Sequence, residues 1–155
     1  MKNIFNLFGT KEKSEKSLLD YQEKWKELVD KAFSNYSSLS REERTWFNIQ
    51  SLISSVDDGG LISHYYNSGA DHNLETIEDL DLLGFSNVSK LLKTINKYFP
   101  NAEPSNNIDE RNIVIENWND EYDKKFSEYD KIFFENEDNL EKTLIKFIEE
   151  KIINS

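Results

Sequence analysis

The sequence predicts an all-α fold, a single-domain compact helical bundle of about seven or eight helices. Three observations carry that expectation. Apolar residues recur at steps of three and four almost throughout, the spacing of one helix face. Only five Gly and two Pro occur in 155 residues, and they sit between periodic segments as stops. No stretch alternates apolar and polar residues, and no hairpin signal occurs. Ile113-Val114-Ile115 is the one short β-branched cluster, so an isolated strand there is the alternative to a helix from Ile113 to Trp118.

Taken in order, Leu18, Tyr21, Trp25, Leu28, Val29, Ala32 and Phe33 place a helix from about Glu15 to Tyr36. Ser40 and Glu43 form the Ser-x-x-Glu capping box of the next, each side chain satisfying a backbone N–H that the first turn leaves unpaired. Trp46, Phe47, Leu52, Ile53 and Val56 form its inner face, and Gly59-Gly60 ends it. A short helix runs from about Leu61 to Asn67 and stops near Gly69. Asn73 is placed to cap a helix bearing Leu74, Ile77, Leu80 and Leu83, with Gly84 as its stop. Ser86 or Asn87 opens another, carrying Val88, Leu91, Leu92, Ile95 and Tyr98 and ended before Pro100. Residues 101–107 read as a loop. Phe126, Tyr129, Ile132 and Phe133 give one further helix, and Leu140, Leu144, Ile145, Ile148 and Ile152 a last one from about Asn139 to Ile153. The organisation expected is a short lead over residues 1–13 and one all-α domain over 14–153.

Composition narrows the function classes. There is no cysteine, which excludes a disulfide framework, a thiolate zinc site, an iron–sulfur cluster and a cysteine nucleophile. Lys and Arg number 19 against 30 Asp and Glu, a net charge of -11. Such a chain meets like charge on DNA, RNA and anionic membranes, so neither nucleic acid nor membrane is expected as a direct partner. The opening Met1-Lys2-Asn3-Ile4-Phe5-Asn6-Leu7-Phe8 is apolar but too short and interrupted for a secretory signal. A cytoplasmic protein is expected, with Ile4, Phe5, Leu7 and Phe8 as a docked or frayed terminal segment. The acidity is uneven. Between Arg44 and Lys90 there is no basic residue, yet Asp57, Asp58, Asp71, Glu75, Glu78, Asp79 and Asp81 occur. From Asp109 to Glu141 twelve acids face four bases.

Catalytic and metal-binding patterns are weak. His64, Asp71, His72 and Glu75 lie within twelve residues, but two histidines eight apart with a glycine between them lack the spacing of a metal site. They read as surface residues and a cap. Asp57 and Asp58 are adjacent, so on a helix they point about 100° apart and do not naturally share a proton. Their place before Gly59-Gly60 reads as a helix terminus. No nucleophile elbow, phosphate loop or dinucleotide fingerprint is present. Trp46, Phe47, Tyr65, Tyr66, Trp118 and Tyr122 are expected in the core, because a base-stacking platform needs a basic groove beside it. No enzyme activity, metal or cofactor is expected. Rows of carboxylates three or four residues apart on a helix lie about 5–6 Å apart. Such rows resemble a phosphate backbone to a basic groove, or simply form a solvated face.

The segment Asp58-Gly59-Gly60-Leu61-Ile62-Ser63-His64-Tyr65-Tyr66-Asn67-Ser68-Gly69 resembles the signature of a bacterial domain family whose best-known member is a DNA-mimic protein. The family pattern reads Asn-Gly-Gly-Phe, then two residues on a Gln, an aromatic pair, and Asn with Ser-Gly often following. Leu83-Gly84 and Phe99-Pro100 fall where that pattern ends its next two helices, and Glu128-Tyr129-Asp130 to Phe133-Phe134 matches its acidic, aromatic stretch. The resemblance spans about residues 40–152. Asp58 replaces Asn, Leu61 replaces Phe and His64 replaces Gln. The retained residues read as architectural: Gly59 and Gly60 for a tight turn or close approach, Tyr65 or Tyr66 for the core, and Asn67 for local backbone where the short helix ends. The resemblance implies an all-α fold without cofactor and, for the studied member, a dimer whose acidic surface occupies the DNA-binding face of a transcription factor.

The function expected is therefore a non-enzymatic acidic interaction domain acting on a basic protein, with DNA mimicry as its sharpest form. The alternatives are an immunity-type protein neutralising a basic toxin and, behind it, an enzyme using His64, His72 and nearby acids. The acids expected to contact a partner are Asp71, Glu75, Glu78, Asp79, Asp81, Asp120, Glu121 and Asp123.

Overall fold

A computed structural model describes residues 15–155. The expectations for the lead, including Ile4, Phe5, Leu7 and Phe8, fall outside the described residues. Among those described, seven α-helices and no strand occur: α1 Gln22–Asn35, α2 Arg41–Gly59, α3 Leu61–Tyr66, α4 Asn73–Leu82, α5 Ser86–Asn96, α6 Ile108–Glu116 and α7 Glu121–Ile148. The all-α expectation holds, and Ile113-Val114-Ile115 belongs to a helix.

α2 is the central element and packs against α1, α3, α4 and α7. Its inner face buries Trp46, Phe47, Ile49, Leu52, Ile53 and Val56. The capping box forms as its sequence requires: Ser40 Oγ accepts from Glu43 N at 3.1 Å, and Ser40 N donates to Glu43 Oε1 at 2.9 Å. The charged form of Glu43 is favoured, first by that backbone donor, and its carboxyl sits below the usual range. Gly60, at φ 81°, closes the helix. α7 lies across α2, α3 and α5 with Phe126, Phe133, Leu140, Leu144 and Ile148 facing in.

Four local expectations need correction. The first helix is shorter than the apolar spacing suggests, because Leu18–Tyr21 forms a 3-10 turn ahead of α1. Asn73 does not cap α4: it is the first helical residue, and its side chain is buried in bonds to His64 and Asn96. Residues 101–107 are not all loop, since Pro100–Ala102 forms a 3-10 turn; Asn107 then caps α6 by accepting from Asp109 N and Glu110 N. The two last helices are one 28-residue helix, α7, followed by a π-helical turn at Glu149–Ile153. The polar run Glu135-Asn136-Glu137-Asp138-Asn139 contains no Gly or Pro, so nothing breaks the hydrogen-bond ladder there.

Candidate interaction surface

The glycine-pair segment is the hinge of the structure. α2 ends at Gly59 and α3 begins at Leu61, so the chain turns within one residue. A Cβ on Gly60 would stand 2.6 Å from Asp130 Oδ2, and its φ of 81° is a backbone region that L side chains avoid. The close neighbour is held in place: Leu61 N donates to Asp130 Oδ1 at 2.8 Å. Gly59 is tight as well, its Cβ position lying 3.3 Å from Ser63 Cβ.

Beyond the turn the motif residues divide by burial. Leu61, His64 and Tyr65 are buried, whereas Asp58, Tyr66 and Asn67 are exposed. Tyr65 therefore fills the core and Tyr66 does not. Tyr65 Oη donates to Asn96 Oδ1 at 2.8 Å and Leu92 O at 3.2 Å. The Asn67 side chain bonds Ser55 Oγ and, more weakly, Ser63 Oγ rather than the local backbone expected. His64 is not a surface residue. Its Nε2 lies 2.9 Å from Asn73 Oδ1. Asn73 Nδ2 donates to Asn96 Oδ1, so Asn73 Oδ1 is the acceptor and Nε2 carries the proton. The imidazole is neutral, with Nδ1 buried and unpartnered. Burial, opposed by the bond to Asn73 and aided by the charge of Arg111, holds its pKa down at about 4. His72 is half-buried, its ring stacked on Tyr36 with centroids 3.4 Å apart. Among the described residues no group of three or more His, Asp or Glu side chains is placed to hold a metal ion.

Arg111 is the functional-looking residue the sequence reading missed. Its side chain is fully buried. Nε donates to Tyr65 O at 3.0 Å, Nη1 to Asp71 Oδ1 at 2.8 Å and Ser105 O at 2.7 Å, and Nη2 to Asn67 O at 2.8 Å. One guanidinium thus satisfies the carbonyls that the end of α3 leaves unpaired and ties them to α6. The signal was present: Arg111 stands three residues after Ile108 and four before Ile115, on the inward face of a helix.

The candidate acids of α4 are partly spent inside the molecule. Asp79 must be removed from the surface set. Its side chain is fully buried beside Arg44 and Arg41, at 3.2 and 3.4 Å. It also accepts from Thr45 at 3.0 Å and Asn48 at 2.9 Å. Burial raises its carboxyl pKa, and the bonds from Asn48 and Thr45 oppose the rise. Asp71 is the counter-ion of Arg111, and Glu78 lies 3.7 Å from Arg44. Glu75 is half-buried. Asp81 is exposed and accepts from Ser89 Oγ at 2.5 Å.

The acids of α7 stand differently. Asp120, Glu121 and Asp123 are exposed at its start, and no salt bridge among the described residues reaches them. The start of a helix favours negative charge, so they are compatible with its stability. Aromatic side chains pack on one another around this helix start. Trp118 stacks on Tyr122 at 5.2 Å and on Phe126 at 5.7 Å, and Tyr98 packs edge-on to Tyr122 at 4.7 Å. Lys125 lies over the Tyr98 ring at 5.7 Å. Aromatic pairs of this kind contribute about 0.5–1.5 kcal/mol each beyond their buried area, so they brace the helix start. Glu128 and Glu135, further along the helix, are also exposed.

Fold and surface together define an acidic all-α domain that pairs some of its carboxylates with buried or half-buried arginines and exposes others at the start of α7. The chain belongs to the DMP19-like protein family, whose family model matches residues 37–151. That range covers most of the segment on which the resemblance was drawn. No curated protein matches the chain, and no solved structure matches it. No helix among the described residues is long and apolar enough to cross a membrane.

Proposed function

We propose that this protein is a non-enzymatic interaction domain whose carboxylates occupy the nucleic-acid-binding surface of a basic protein, as a DNA mimic does. The observation that carries the reading is the contrast between the two acid groups. Asp71 and Asp79 are consumed by Arg111, Arg44 and Arg41, whereas Asp120, Glu121 and Asp123 are displayed without an internal cation among the described residues. Family membership supports the same reading. On a rigid helix, carboxylates one turn apart repeat at about 5.4 Å. A groove built to neutralise a row of phosphates meets comparable charge there. The contact set proposed is Asp120, Glu121 and Asp123, with Glu75, Glu78 and Asp81 at the α4 end. The partner is a DNA-binding protein, and nucleic acid itself is repelled.

A pull-down from source-cell lysate at low salt, eluted with a short DNA duplex and read by mass spectrometry, tests this. Release of a DNA-binding protein by the duplex is the expected result. A partner that resists the duplex contradicts mimicry, and a toxin in that position establishes the immunity reading instead.

A further inference from the structure

The surface proposed for the partner leaves one groove unused. α1 forms its first wall with Trp25, Val29 and Phe33, four residues apart and so on one side of that helix. α2 forms the floor. Its Phe47 ring stacks on Trp25 at 5.9 Å and meets Phe33 edge-on at 6.3 Å, and Ser51, Ser54 and Ser55 continue it. The second wall is Asn67-Ser68-Gly69, the end of the glycine-pair segment. It is fixed to the floor: Asn67 Nδ2 donates to Ser55 Oγ at 3.2 Å, and a Cβ on Gly69 would stand 3.5 Å from Ser51 Cβ. The groove encloses about 280 Å³, and a cavity of about 150 Å³ is enough for a benzene ring. Phe33, at its edge, is 68% exposed. Among the described residues no charged side chain lines the groove, although 32% of the chain is charged.

We propose that this groove is the docking site of the chain's own lead, with Ile4, Phe5, Leu7 and Phe8 as the anchors. The stretch Asn3–Thr10 that carries them is itself without charge. An uncharged strip on an uncharged groove takes apolar area out of water without stripping the hydration of an ion. A basic protein surface would strand its cations there. The family match begins at residue 37, so the lead and the α1 wall lie ahead of it as one extension. The lengths agree as well. The described residues begin at Glu15. Two extended residues, the 3-10 turn and the first turn of α1 put Trp25 at most about 21 Å from it, and Phe33 lies about 12 Å further along the helix. Fully extended, the chain from Glu15 back to Phe8 reaches about 23 Å, and back to Ile4 about 36 Å. Phe8 thus reaches the Trp25 end of the groove and Ile4 the Phe33 end. The hydroxyls of Ser51, Ser54 and Ser68 are there to meet the amides of Asn3 and Asn6. This docking does not rest on the partner reading.

Two NMR samples of the full chain test this. In uniformly isotope-labelled protein, nuclear Overhauser contacts are expected from the Phe5 and Phe8 rings to the Val29 methyl groups and the Trp25 indole. In an equal mixture of labelled and unlabelled chains, a filtered experiment that reads only contacts between copies is expected to show none of them. Phe5→Asn combined with Phe8→Asn keeps the stretch uncharged and is expected to abolish the contacts and shift the amide signals of Ser68 and Gly69. Unmoved signals from the core helices would confirm that the variant is folded. Absence of the contacts in the wild type, or Ser68 and Gly69 signals that stay in place in the double variant, overturns the proposal. Contacts found only between labelled and unlabelled chains overturn it too, and assign the groove to a second copy.

Discussion

Gly60 and Asp130 are 70 residues apart and define one position between them. The backbone turns at φ 81° because no Cβ intrudes, and the space a Cβ would take holds the carboxylate that caps Leu61 N–H. Gly60→Ala forces the left-handed strain and displaces Asp130 from its donor. A loss of about 2–4 kcal/mol in unfolding free energy is expected by denaturant titration. Ser63→Ala, which keeps the Cβ facing Gly59 and removes only the weak bond from Asn67 at 3.4 Å, is the near-neutral control. The glycine pair was legible as a turn in the sequence, because glycine beside a helical apolar pattern has a local meaning. Asp130 and Arg111 were not, because each acts on a segment 40 or more residues away. Only their positions on inward flanks, Asp130 between Phe126 and Phe133 and Arg111 between Ile108 and Ile115, mark them.

At the scale of elements, α3, α4 and α5 are joined by a neutral side-chain chain, His64 to Asn73 to Asn96, which also takes Tyr65 Oη. Charging His64 inserts a cation into a buried site that already holds Arg111. The imidazole is held down to about 4 when folded and titrates at 6.5 when unfolded. A depressed histidine contributes stability that is complete above the unfolded value and disappears as pH falls toward the folded one. Between pH 7 and pH 4 this costs about 3 kcal/mol. His64→Gln, the residue of the family pattern at this place, is expected to lose stability less steeply over that interval in thermal melts at stepped pH. Parallel wild-type and variant profiles would refute the assignment. Helix starts and stops around this chain were readable from Ser40, Gly59-Gly60 and Pro100. The burial of Asn73 was not, because asparagine before an apolar run has the same sequence appearance whether it caps a helix or bonds across to a neighbour.

Across the whole molecule, the all-α architecture was legible because helical periodicity and sparse Gly and Pro act along the entire chain. Charge was legible only as a total. Which carboxylates face solvent depends on where Arg41, Arg44 and Arg111 fold, and that is a tertiary property: Asp79 and Asp81 are two residues apart, yet one is buried and one exposed. The central claim is that the exposed acids at the start of α7 are the groups a basic partner reads. Neutralising Asp120, Glu121 and Asp123 together to Asn, Gln and Asn removes three charges and leaves the aromatic contacts around this helix start intact. The measurement that bears on the claim most directly is the affinity of the captured partner across a salt series, for the wild type and this triple variant, with circular dichroism confirming the fold. The wild-type affinity is expected to fall linearly with salt on logarithmic axes, and the variant to bind more weakly with a shallower slope. Equal affinities and equal slopes for the two proteins would contradict it.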